Sequence, residues 1–197
     1  MSTGKDSKPN LLLLGSSHFS SRHGFQEGFL KRVGKTEFDH ISITSVSGEK
    51  LNDSTICHAL RYVESHPPTK QIIIIVMMAG NAIRKWPRSH QMVSTHERML
   101  SFFERKPNVE IILCGVLPTP RTDHYTRVPF LLVNSTFKEM AINRAPRVHY
   151  FSTASHFVDS NNIKNHLYKD GLHLTNHGAE ILIEELYQFI VKVTLRV

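Results

Sequence analysis

With 197 residues, 40% of them hydrophobic and 21% charged, the chain has an ordinary globular composition and the usual length of one domain. A domain of that length buries roughly 70% of the surface of its unfolded chain, and Cys57 and Cys114 are its only cysteines, so a disulfide-stapled mini-protein is excluded. A formal net charge of +7 favours anionic surroundings such as nucleic acid or acidic lipid, but Lys and Arg are spread along the chain. Only Arg84, Lys85 and Arg88 cluster, which is the pattern of a solvated basic surface.

Residues 1–9 are polar and are expected to be disordered, with a single domain over residues 10–197. Leu11–Leu14 reads as the first strand, and Gly15 ends the run before it reaches the length of a signal-peptide core. Together with the sparse cysteines this points to an intracellular, cytoplasmic protein. Arg22–Val33 places Phe25, Phe29 and Val33 at four-residue spacing, a helix signature. Ile41–Val46 is the second strand, and Asn52–Glu64 is a helix with Ile56, Leu60 and Val63 on one face. Ile72–Met78 is the third strand; the apolar stretch around it falls far short of the roughly 20 residues that cross a bilayer. A helix over Met92–Arg105, a strand over Val109–Val116 and a helix over Pro129–Asn143 follow. Arg147–Phe151 is a weaker strand, and Ala179–Val193 is the last helix. Strands that read as apolar runs, alternating with amphipathic helices, predict a three-layer α/β/α fold around a five-stranded parallel sheet.

Ligands of such sheets bind beyond the carboxyl ends of the strands. Those ends lead into Gly15-Ser16-Ser17-His18, Ser47-Gly48-Glu49, Ala79-Gly80-Asn81, Leu117-Pro118-Thr119-Pro120 and the segment from Ser152. Hydrolysis through a serine needs a nucleophile, a base, a group that orients the base, and donors for the developing oxyanion. Ser17 sits where a strand turns toward a helix. Asp170-Gly171-Leu172-His173 puts a carboxylate three residues before an imidazole, while Asn81 offers an amide and Gly48 an unobstructed N–H. Taken singly these are bland: Ser16 or Ser17 as a helix cap, Asn81 and Gly48 as turn residues, Asp170 and His173 as a surface turn capped by Thr175 or Asn176. Their joint occurrence in this order is what points to chemistry.

The blocks resemble the SGNH (GDSL-type) serine hydrolases, which carry Gly-Asp-Ser after the first strand, a glycine after the second, Gly-x-Asn-Asp after the third and Asp-x-x-His before the final helix. The resemblance runs from about residue 10 to 193, and Asp170-Gly171-Leu172-His173-Leu174-Thr175 followed by Gly178 is its most specific block. It implies a flavodoxin-like fold with Ser17 as nucleophile, His173 as base and Asp170 as its orienting group. The oxyanion hole would be the N–H groups of Ser17 and Gly48 and the amide of Asn81. The implied activity is that of a serine esterase or deacylase that hydrolyses a short-chain carboxylic ester through an acyl-serine, without cofactor or metal. Three positions depart from the family pattern: Ser16 replaces Asp, Ala79 replaces Gly, and Ala82 replaces the second Asp. A catalytically weak or inactive module that binds an anionic nucleic acid or acidic lipid is therefore the alternative reading. Within the family, Ser17-His18 is similar to the esterase domains of first-frame proteins of LINE-type retrotransposons. His173 and His177 have the i, i+4 spacing that can share a zinc on a helix. The glutamate that accompanies that spacing in zinc peptidases is absent, so no metal is expected.

Overall fold

The computed structural model describes residues 8–16, 24–34, 37–45, 51–78, 89–121, 124–159 and 162–194; of residues 1–9, expected to be disordered, residues 1–7 lie outside them. Five parallel strands, β1 (Asn10–Gly15), β2 (His40–Ser45), β3 (Ile72–Met77), β4 (Val109–Cys114) and β5 (Val148–Phe151), form one sheet in the order β2-β1-β3-β4-β5. They alternate with helices α1 (Phe25–Val33), α2 (Asp53–Glu64), α3 (Ser89–Phe103), α4 (His124–Ile142) and α5 (Asn176–Thr194).

Successive side chains of a strand point to opposite faces, so the apolar runs supply two cores at once. Leu12, Leu14, Ile72, Ile74, Val76, Ile111 and Leu113 pack with Ile56 of α2, Met99 of α3 and Phe137 of α4. Leu11, Leu13, Ile73, Ile75, Met77, Ile112 and Cys114 pack with Phe25 and Phe29 of α1 and Leu182 and Leu186 of α5. The expected α/β/α layering and parallel sheet are what the structure has. Among the described residues no helix is long and apolar enough to cross a membrane.

Most element boundaries differ from the expected ones by one to three residues. The larger difference is α4, which begins at His124 rather than at Pro129. Proline is favoured at the first helical position, which is why the sequence suggests a start there. A two-stranded antiparallel ribbon, β6 (Val158–Asp159) with β7 (Asn162–Ile163), and a 3-10 turn at Asn165–Leu167 have no counterpart in the sequence reading. Elements of two or three residues carry no periodicity to read.

The start of α5 is fixed by two close fits. Thr175 is its cap: Oγ1 accepts from Gly178 N–H at 3.1 Å, and Thr175 N–H donates to Leu167 O at 2.8 Å. Gly178 lies so close to the 3-10 turn that a Cβ there would stand 2.5 Å from Leu167 O, a backbone atom. Alanine is the better helix former by about 1 kcal/mol, but Gly178→Ala should still lower stability by about 1–3 kcal/mol through overpacking. Urea unfolding of the two proteins measures it, and a variant as stable as wild type would show that α5 can slide off the turn at no cost.

Between α3 and α4, His96 is fully buried, its ring 4.5 Å from that of Phe137. Nδ1–H donates to Met92 O at 2.8 Å, whereas Nε2 meets no partner. Burial pushes the imidazole down to about 4, against a smaller opposing effect of the Met92 carbonyl. The folded state therefore binds fewer protons than the unfolded state below about 6.5. The stability that His96 contributes is complete above about pH 6.5 and is lost as pH falls through about 4. Between pH 7 and 4.5 wild type should lose roughly 2 kcal/mol more than His96→Leu. Denaturant melts at the two pH values decide this, and equal losses would remove His96 as the acid-sensitive group.

Candidate active site

All five strands run the same way, so Gly15, Ser45, Met77, Cys114 and Phe151 end on one rim of the sheet. Ser16 continues the β1–β3 pairing by one step, its N–H donating to Met77 O at 3.2 Å, and it is buried. Of the residues expected at the site, Ser17, Gly48 and Asn81 lie outside the described residues, as do the departures at Ala79 and Ala82. Asp170 and His173 are described, and the structure brings them together.

The loop that carries them closes on itself before α5. Tyr168 and Leu174 form an antiparallel bridge, and Lys169 N–H donates to His173 O at 2.9 Å. Inside it Gly171 has φ 72°, the left-handed conformation that glycine adopts without a Cβ penalty. The turn lets one carboxylate serve twice. Oδ1 of Asp170 accepts from Leu172 N–H at 2.9 Å and His173 N–H at 2.7 Å, an Asx turn. Oδ2 accepts from Nδ1–H of His173 at 2.6 Å.

These bonds favour the ionised carboxylate. The His173 ring bond acts most strongly, its backbone N–H next, and together they hold Asp170 well below the usual carboxylate range despite some desolvation. An ionised acceptor keeps the proton of a neutral imidazole on Nδ1 and leaves Nε2 as the basic nitrogen. The His173 side chain is 23% exposed, so the imidazole remains reachable from solvent. His177, four residues on, faces Glu180 at 3.9 Å rather than sharing a ligand with His173. Among the described residues no group of three His, Cys, Asp or Glu side chains could hold a metal ion.

Two residues that sequence reasoning missed hold this loop. Tyr168 is buried, and its hydroxyl donates to Pro118 O in the segment after β4. Arg121 N–H donates to Gly171 O at 3.1 Å, and its side chain packs over Gly171. Both links join positions about fifty residues apart, so no local pattern could have shown them.

No protein-family profile matches this sequence, and no curated protein does. Solved structures do match in fold. A member of the lipolytic protein G-D-S-L family from Veillonella parvula superposes with a TM-score of 0.69 at 13% identity, over 95% of this chain and 99% of that one. A GDSL-like lipase from Bacteroides thetaiotaomicron gives 0.64 at 17% identity, over 93% and 88%. An acetyl xylan esterase gives 0.70 at 11% identity, over 92% and 99%. The chain thus has the fold of the SGNH and GDSL lipolytic structures, as its motif order implied.

Proposed function

We propose that the protein is a serine hydrolase of carboxylic esters, in which Ser17 attacks the ester carbonyl and His173, oriented by Asp170, takes the serine proton. The observation that carries this reading is the 2.6 Å Nδ1–Oδ2 bond on a loop at the carboxyl rim, with the carboxylate kept ionised. That is the base and orienting group of a serine triad. In the sequence Ser17 comes two residues after Gly15, the last residue of β1, whose carboxyl end lies on that rim. N–H groups of Ser17 and Gly48 with the amide of Asn81 would meet the oxyanion, where each donor is worth on the order of a hundred- to a thousandfold in turnover. The proton then passes from the imidazolium to the leaving alcohol, and water activated by His173 releases the acid from the acyl-serine. Solved structures of similar fold include proteins named lipase and acetyl xylan esterase, which favours ester hydrolysis in general. A short acyl group, as in acetate or butyrate, is the substrate we infer.

Purified protein should hydrolyse p-nitrophenyl acetate and be labelled by a fluorophosphonate probe, while Ser17→Ala should do neither and stay folded, since a cap hydroxyl contributes about 1 kcal/mol. A Ser17→Ala variant within twofold of wild type would end the nucleophile assignment. An unreactive wild type would favour the anionic binding module instead.

The ionised Asp170 leaves the base as the group that shapes the pH profile. Because an imidazole must be neutral to accept a proton, the rate should rise with pH through one ionisation. Asp170→Asn should depress the rate on the order of a thousandfold or more by favouring the wrong tautomer. Rate profiles from pH 5 to 9 test both. A flat wild-type profile, or a variant of normal rate, would reduce the Asp170–His173 pair to a structural turn.

A further inference from the structure

A cleft of about 730 Å³ lies beside the Asp170–His173 loop, between the segment after β4 and the chain that follows β5. That is within the usual size of small-molecule sites. Its link to the loop is direct: Pro118 and Pro120 line the cleft, Pro118 O takes the Tyr168 hydroxyl, and Pro120 lies against Gly171. Its base is apolar and buried at Pro118 and Phe130, while Leu131 stands 58% exposed at its edge. The opposite wall, from β5 through the β6–β7 ribbon, presents Ser152, Ser155, Asn162 and Asn165. Every described residue that lines it is uncharged.

Resting on the proposed esterase reading, we propose that this cleft holds the leaving alcohol of the ester and that the alcohol is a neutral, sugar-like polyol. The position follows from the stereochemistry of the step. As the Ser17 Oγ–carbon bond forms and the carbon–alcohol oxygen bond breaks, the serine proton passes through the imidazole to the departing oxygen. The alcohol therefore departs on the side of His173. The oxyanion donors are assigned to the ends of β1, β2 and β3, whereas the histidine loop is strapped to the segment after β4, which places the alcohol toward β4 and β5. The chemical class follows from the walls. Serine and asparagine side chains donate and accept without carrying charge, which suits hydroxyl groups. Proline and phenylalanine surfaces suit the C–H face of a ring. A plain hydrocarbon would cover Leu131 but would cut the asparagine amides off from water without giving them partners.

The experiment holds the acyl group constant and varies the alcohol. With acetyl throughout, kcat/KM for a methyl glucoside bearing one acetyl group should exceed that for octyl acetate by about tenfold. Asn162→Ala with Asn165→Ala should lower that advantage by roughly tenfold, as expected for two lost hydrogen bonds, with the loss mainly in KM. Both asparagines are exposed, so the variant is expected to fold. Independently of turnover, methyl glucoside titrated into the protein should shift the NMR signals of Leu131, Asn162 and Asn165. Octyl acetate equal to or better than the glucoside ester, or shifts confined to other residues, would overturn the cleft assignment while leaving the esterase intact. Cleft shifts with no turnover of any ester and no fluorophosphonate label would overturn the hydrolase reading and the leaving-group role together.

Discussion

The structure rests on the burial of β1 and β3 from both sides. Every residue of the two strands is buried, and they pair in register from Asn10 with Ile72 to Gly15 with Met77. Side chains that alternate between faces need an apolar partner layer on each, which is why α1 and α5 lie on one side and α2, α3 and α4 on the other. Parallel pairing in turn obliges each connection to return across the sheet, so five strands deliver their carboxyl ends to a single rim. The site depends on that constraint before any of its side chains is chosen.

On the rim the decisive economy is at Asp170. One oxygen organises the backbone of residues 170–173, and the other fixes the imidazole. Loop shape and imidazole orientation therefore depend on the same ionised group. The loop is also not self-sufficient: Tyr168 and Gly171 are tied to Pro118 and Arg121, so the histidine is positioned by the segment after β4 as much as by its own turn. The segment after β4 thus reaches the histidine loop through two hydrogen bonds.

The fold was legible because its strands are nearly pure apolar runs, such as Ile72–Met77, whose two-sided burial leaves little else for the sequence to encode. What escaped was short or long-range. The β6–β7 ribbon has two residues per strand, and Pro129 imitates a helix start although α4 begins at His124. At the site, the spacing of Asp170 and His173 announced the pair, because three residues suffice for a carboxylate to reach the imidazole within one turn. The second duty of Asp170 was hidden in the φ of Gly171, and the role of Tyr168 lay in a bond to Pro118 that sequence distance conceals.

Ser16 bears on how the family pattern is altered. Aspartate stands at this place in the hydrolases that the sequence resembles, yet Ser16 is only 3% exposed, against the end of β3. A carboxylate taken out of water there would have to be neutralised or matched by several donors, whereas a hydroxyl asks much less. Its backbone bond to Met77 O extends the sheet regardless of the side chain. The end of β1 that leads to Ser17 is therefore held by main-chain pairing with β3, and the replacement removes a buried charge without removing the support. The departure at 16 is in this respect a simplification of the strand end.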